Sequence, residues 1–401
     1  MITVQEAEKI ILGHSKSFGK ENVPIDQSLG RVLAEDIIAD RDFPPYNRST
    51  MDGITIKYSD FIAGIRSFEV LAVQAAGQPP LKHIEPGQAV QIMTGAAVPD
   101  ALDCVIPIEE VELANGLASV TAKKVNPEQF IHPKGSDEPA GAVLVAAGQV
   151  ISPSILPIIA SVGNLNPVVN RLPKIVIVST GDELVSIDKK PSPYQVRRSN
   201  DRAIAASLAS FGVEAERVHL PDDPVVMKTE LKLFLSNYDA IIISGGVSKG
   251  SFDYVPTVME ELGVEMLFHG VQQRPGKPLW FGKHTGGTVV FALPGNPVST
   301  FLCTYKYVLP LLRSGLGMKA PAPTNAVLSN DIQFDAKLNY FKQVKLRTDN
   351  EGHLMAYPIS SNGSGDFIGL ADADGFLELP FSRQPFKKGQ TYSVVAIRSI
   401  M

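Results

Sequence analysis

Several things are scarce in this chain, and each scarcity removes a class of protein. Two of its 401 residues are cysteine, Cys104 and Cys303, far apart in sequence. A disulfide framework is therefore not expected, and a reducing, cytoplasmic setting fits better. The seven histidines show no metal-ligand spacing and no accompanying CxxC. Basic charge is thin: the net charge is −5, and the local pairs Lys123-Lys124 and Arg197-Arg198 are too short to make a basic stripe. No nucleic-acid partner is expected. The first residues, Met1 to Ala7, lack the basic start and apolar run of a secretory signal. Residues 139–170 contain no charge, but Gly141, Gly148, Pro153, Pro157 and Gly163 interrupt them. A membrane-spanning helix needs about 20 predominantly apolar residues, so this stretch reads as a buried strand followed by a short packed helix. No membrane partner is expected. There is no repeat and no low-complexity tract.

What remains is an ordinary globular composition, 44% apolar and 20% charged, long enough for about two to four domains. Residues 3–19 read as a helix, with Thr3 and Glu6 in capping-box spacing. From Arg41 the texture changes to Phe43-Pro44-Pro45-Tyr46-Asn47, and residues 54–131 are short strand-like runs between Gly/Pro turns. After Asp137 the chain turns apolar and helical again. The arrangement predicts a split N-terminal domain (1–40 and 138–170) interrupted by an inserted β module (41–137). Residues 171–317 alternate strand and helix. Strands are predicted at 174–179, 213–220, 240–244 and 288–293, and helices at 200–211, 224–236, 254–262 and 297–313. Continuous apolar strands of this kind predict a doubly wound parallel sheet covered on both faces. After Pro321-Ala322-Pro323, residues 318–401 read as a C-terminal β domain. The fold class is thus multidomain α/β plus β.

In doubly wound sheets, ligands sit at the carboxyl ends of the strands. Three loops fall there: Ser179-Thr180-Gly181-Asp182-Glu183, then Ser244-Gly245-Gly246-Val247-Ser248-Lys249-Gly250, and Leu293-Pro294-Gly295-Asn296-Pro297. Glycines let backbone N–H groups close around phosphate oxygens, and Ser248 adds a hydroxyl. Asn296 suits an N-cap and Pro297 a first helical position, which aims a positive helix end at the crevice. The carboxylates Glu183, Asp222 and Asp253 share this edge. Phosphate beside carboxylate suggests Mg2+, which keeps waters and takes one or two protein carboxylates. Asp223, beside Pro224, reads simply as a helix cap. Arg274 and Lys277 flank a Pro-Gly turn that holds two cations at fixed separation, suited to an anion. Three further polar knots, around Asp52, Thr94 and Asp137, read as turns on residue chemistry alone.

The order of these motifs, from Ser49-Thr50-Met51-Asp52-Gly53 and Ile92-Met93-Thr94-Gly95 through the α/β loops and Arg274-Pro275-Gly276-Lys277-Pro278 to Leu293-Pro294-Gly295-Asn296-Pro297-Val298-Ser299, resembles the MoeA/gephyrin family of molybdopterin molybdenumtransferases over essentially the whole chain. The resemblance implies a four-domain protomer with a C-terminal β-barrel-like domain and a homodimer. It implies insertion of molybdate into adenylylated molybdopterin, with Mg2+-dependent release of AMP, and contact with the adenylyltransferase that makes that substrate. The family's acids match Asp52, Asp137, Glu183, Asp222 and Asp253, three of which (Glu183, Asp222, Asp253) are the Mg2+ candidates. Its rigid prolines match Pro294 and Pro297 and its C-terminal serine Ser364, so that the expected substrate-binding set is Thr94, Gly245, Gly246, Ser248, Arg274, Lys277, Pro294, Asn296, Pro297 and Ser364. Its site lies between the α/β domain of one subunit and the β insertion of the other. The chain departs from the pattern at His132-Pro133-Lys134, usually Arg-rich, at Gly270, usually lysine, and at Arg274, also usually lysine. Two other readings are a CinA-like nucleotide hydrolase on the same α/β domain and a non-catalytic molybdopterin-binding scaffold.

Overall fold

The computed structural model describes residues 1–247, 253–334, 337–381 and 385–398. The chain divides into two compact units, one of residues 1–34, 148–152 and 166–401, the other of 35–147 and 153–165.

In the first unit, the α/β region builds a six-stranded sheet from β1 (Ile175–Thr180), β2 (Ala215–Leu220), β3 (Ala240–Ser244), β4 (Val264–His269), β5 (Trp280–His284) and β6 (Val289–Leu293), in the order β2-β1-β3-β6-β5-β4. The first four strands are mutually parallel. The expected all-parallel sheet is corrected at β5, which runs antiparallel to both β6 and β4. Strands β4 and β5 follow one another with no intervening helix, because the Pro-Gly turn of Arg274 and Lys277 occupies the connection. Alternation along the strands explains the double cover. Ile175, Ile177 and Ile242 pack on one face with Ile204 and Leu208 of helix α1 (Asn200–Ala209) and Leu302 of α4 (Pro297–Cys303). Val176, Val178, Ile241 and Ile243 pack on the other with Met227 and Leu231 of α2 (Pro224–Asn237) and Val258 of α3 (Val255–Glu261). Each such side chain, fully buried, stabilises the fold by about 1.5–3 kcal/mol relative to exposure.

Local signals explain the helix ends. The Thr3–Glu6 capping box forms, but the first helix stops at Gly13 and not at residue 19. Phe18, beyond that end, is buried in the α/β core instead. Asp223 caps α2 by accepting from the N–H groups of Val225 and Val226. The predicted helix 297–313 is present as α4, a π-helical turn Thr304–Val308 and α5 (Leu309–Gly315).

The C-terminal strands Thr324–Leu328, Asn339–Thr348, Leu354–Pro358, Gly375–Leu379 and Thr391–Ala396 pair in a closed ring, a five-stranded barrel around Val344, Ala356 and Leu377. The second unit holds a six-stranded sheet made from residues 53–120, with a short helix, Tyr58–Ile62, where only strands were expected. The flanks of this insertion meet by pairing. Ile37–Ile38 lies against Val143–Val145 within the second unit, and Lys20–Asn22 lies against Val168–Asn170 within the first. The uncharged stretch 139–170 contains one short helix, Leu156–Ser161, between the strands Val143–Val145 and Val168–Asn170. No helix among the described residues is long and apolar enough to cross a membrane. Both cysteines are buried free thiols, each pushed up to about 12 by burial.

Candidate functional site

Connection α1 leads from β1 to β2 on one side, while the chain returns from β2 through α2 to β3 on the other. The strand order reverses between β1 and β3, and their carboxyl ends open a crevice there. A cavity of about 970 Å3 lies at this point, lined by the three expected loops, from Gly181, Gly245-Gly246 and Pro294-Gly295.

The turn after β3 needs glycine for two reasons. Gly245 and Gly246 have φ of 103° and 65°, and a Cβ on Gly245 would stand 2.7 Å from the Thr180 carbonyl oxygen. The β1 and β3 loops therefore approach too closely for any side chain. Asn200, at the start of α1, ties the third loop in: its amide donates to Ser244 Oγ at 2.9 Å and to the Gly295 carbonyl at 2.8 Å. Two histidines hold the other loops from the strands. His219 Nε2 lies 3.0 Å from the Gly181 carbonyl and His269 Nε2 3.0 Å from that of Val247. Neither Asn200 nor these histidines stood out in the sequence. Asn200 looked like an ordinary residue at a helix start, and strand histidines carry no spacing signal.

Three of the five expected acids line one cavity. Asp222 and Asp253 line the cavity with Glu183. The Asp222 N–H donates to Asp182 Oδ1 at 3.2 Å. Burial holds the Asp222 carboxyl above its ordinary pKa, reinforced by the charges of Asp182, Glu183 and Asp253, while the contact with Asp182 works the other way. Among the described residues no group of three or more His, Cys, Asp or Glu is arranged to hold a metal by itself. The donor set is all-carboxylate and crowded with like charge, which suits a hard divalent ion that keeps most of its waters.

The cations divide between two places. Arg197 and Arg198, too short a pair to make a basic stripe, line the main cavity. Arg274 and Lys277 line a second cavity of about 350 Å3, together with Ser299, Tyr340, Gln343 and Ser364. The two cavities share Pro278, Pro294 and Asn296. Gly276 is required between the two cations, since a Cβ there would lie 2.5 Å from Gln273 Nε2 and 2.8 Å from Cys303 Sγ. Gln273 is fixed in turn by its bond to the Tyr307 hydroxyl. Asn296 occupies the N-cap position of α4, but its side chain makes no cap bond. It donates instead to Ser364 Oγ of the barrel domain at 2.9 Å. Pro297 takes its expected place in the first turn. Ser248, with Lys249 and Gly250, lies outside the described residues.

In the β insertion, the polar knots are built as pairs. Asp52 Oδ1 accepts from Thr94 N at 2.6 Å and Thr94 Oγ1 at 2.8 Å. These bonds hold the Asp52 carboxyl below its ordinary pKa. Gly53 follows because a Cβ there would collide with the Ile106 carbonyl. Asp137 Oδ1 lies 2.8 Å from His132 Nε2, and His132 Nδ1 lies 3.0 Å from Arg48.

A doubly wound domain with glycine-lined strand-end loops, carboxylates on one cavity wall and an adjoining cationic pocket has the features of a domain that binds anionic ligands. The comparisons give that class its family. Residues 2–163 match the MoeA N-terminal region (domain I and II), residues 176–314 the "Probable molybdopterin binding domain", and residues 325–397 the MoeA C-terminal region (domain IV). The chain is 40% identical to the molybdopterin molybdenumtransferase of Synechocystis sp. over 99% of its own length and 100% of the relative. It is 31% identical to the Bacillus subtilis protein of that name, over 99% and 94%. A crystal structure of the molybdopterin biosynthesis MoeA protein from Pyrococcus horikoshii superposes with a TM-score of 0.87 at 31% identity, covering 100% of both chains. A second from that organism gives 0.82 at 26%, covering 98% and 99%. The chain belongs to the MoeA family of molybdopterin molybdenumtransferases.

Proposed function

We propose that this protein is a molybdenumtransferase that inserts molybdate into adenylylated molybdopterin and releases AMP, in the cytoplasm, as a step of molybdenum cofactor biosynthesis. The observation that carries the reading is the pair of adjoining cavities, one lined by phosphate-binding loops and carboxylates, the other small and cationic. A nucleotide–pterin conjugate needs the larger volume. A tetrahedral oxyanion needs cations and hydroxyls, which Arg274, Lys277, Ser299 and Ser364 supply.

Glu183, Asp222 and Asp253 are the residues that would hold Mg2+, which takes one or two protein carboxylates and keeps its waters. The ion they held would supply Lewis-acid polarisation of the phosphoanhydride and offset its negative charge. The backbone N–H of Gly246, with Arg197 and Arg198, binds phosphate oxygens around it, while the Gly245 N–H is held by the Leu293 carbonyl. Arg274 and Lys277 offset the charge of the incoming oxyanion, which bare carboxylates alone repel. Pro294, Asn296 and Pro297 form the rigid sill between the two anions, with Asn296 and Ser364 fixed on each other. Asp52, Thr94 and Asp137 serve the same reaction from the β insertion of a second copy in a homodimer, where they orient molybdate and water. Contact with the adenylyltransferase that makes the substrate belongs to the same proposal.

The test is a turnover assay of the purified protein with adenylylated molybdopterin, molybdate and Mg2+. Release of AMP that depends on molybdate and the ion supports the reading. Tight pterin binding with no AMP release would favour a scaffold. AMP or nucleotide hydrolysis indifferent to molybdate would favour a nucleotide hydrolase.

A further inference from the structure

We propose that His132 positions the catalytic carboxylate of Asp137, and that Arg48 selects the ring tautomer that lets it do so. The proposal rests on the reading above, in which Asp137 takes part in the reaction.

The backbone already places Asp137 in space. Its N–H donates to the Phe43 carbonyl at 2.9 Å, Gly135 N–H to Pro44 at 2.9 Å, and Lys134 N–H to Asn47 Oδ1 at 2.9 Å. Lys134 Nζ adds an ion pair with Asp42 at 3.4 Å. These contacts fix the loop, but none reaches the Asp137 carboxylate. That group is 55% exposed, and among the described residues its one side-chain contact is the 2.8 Å approach of His132 Nε2. His132 is the more enclosed partner at 29% exposure. It sits in a two-residue antiparallel pairing, Ile131–His132 against Arg48–Ser49, directly opposite Arg48.

The hydrogen-bond chain has one consistent assignment of protons. A guanidinium carries donors only. Arg48 Nη2, 3.0 Å from His132 Nδ1, must donate to it, so Nδ1 carries no proton. The ring proton then resides on Nε2 and is donated to Asp137 Oδ1. One carboxylate oxygen is occupied and oriented, and Oδ2 is left for the ligand. Positioning of this kind is the role that outer-shell partners play for reacting groups. An exposed hydrogen bond of this kind by itself contributes little to stability, about 0.5–1.5 kcal/mol. The value of this contact lies in the orientation of a reacting group, and it shows in kcat more than in Tm.

The experiment uses the full chain with single changes at two positions. Asp137→Ala tests the underlying reading. His132→Ala should lower kcat by roughly tenfold with KM within about twofold and an unchanged Tm, the pattern of an interaction realised in the transition state. His132→Gln, whose amide reaches the place of Nε2, should recover most of the loss, whereas His132→Asn, whose amide reaches only Nδ1, should not. The double variant His132→Ala/Asp137→Ala should be no slower than Asp137→Ala alone. Full kcat in His132→Ala alongside an inactive Asp137→Ala would overturn the proposal and leave the function intact, as would equal activity of the Gln and Asn variants. Full kcat in Asp137→Ala would instead overturn the role of Asp137. The tautomer is read independently from the ring 15N signals of His132: a proton on Nδ1 would overturn the assignment.

Discussion

The acids of the α/β crevice and the acids of the β insertion face opposite electrostatic conditions. Asp222 is half-buried among Asp182, Glu183 and Asp253, and its carboxyl is pushed upward by burial and by like charge. Asp52 is exposed, accepts two bonds from Thr94, and is pushed downward. Asp137 has its own histidine. The crevice therefore holds negative charge that calls for a cation, while the insertion holds carboxylates whose orientation is set by protein donors. The proposed function assigns the crevice acids to Mg2+ and the insertion acids to substrate, and that division predicts just this difference.

The comparison breaks most visibly at Asp222. Replacing it by Asn should reduce Mg2+-dependent turnover by roughly a hundredfold or more. It should also raise Tm at neutral pH, because the folded protein bears the cost of ionising this group. The sign is set by the raised carboxyl: stability it contributes is present below the ordinary aspartate pKa and is lost as pH rises through the folded value. The Tm advantage of Asp222→Asn should accordingly vanish on acidification, as followed by calorimetry. Unchanged turnover would remove the metal role.

Next in size is Gly245→Ala. The positive φ and the 2.7 Å approach to Thr180 both resist a Cβ. Urea unfolding should report a loss of about 1–3 kcal/mol, with weakened pterin binding. Arg274→Ala and Lys277→Ala should each weaken oxyanion binding about tenfold, the scale of one charge-assisted hydrogen bond. In steady-state kinetics this appears as a raised KM for molybdate with kcat largely kept. Equal effects on pterin binding would mean that the two cavities are not separate subsites.

The smallest effect is expected at Thr94→Val, which removes one of the two donors to Asp52. The lowered carboxyl contributes stability above the ordinary aspartate pKa, and that contribution fades as pH falls through the folded value. Wild type and variant should differ slightly in Tm at neutral pH and converge in acid. A difference that persists in acid would point to packing instead.

Sequence alone determined the parts that depend on local chemistry. Uninterrupted apolar strands, the caps at Thr3 and Asp223, and the glycines after β3 follow from short-range sterics and hydrogen bonding. The family resemblance added Asp52, Thr94 and Asp137, which residue chemistry by itself reads as turns. Tertiary structure decided what depends on distant pairing. It turned β5 antiparallel, took the Asn296 side chain from its helix to Ser364, and brought Arg197 and Arg198 to the crevice. It also made His219, His269 and Asn200 the supports of the loops. The physical reason is the same throughout. A glycine's positive φ is a property of its own backbone, whereas the partner of a histidine or an asparagine is whatever the fold brings within 3 Å of it.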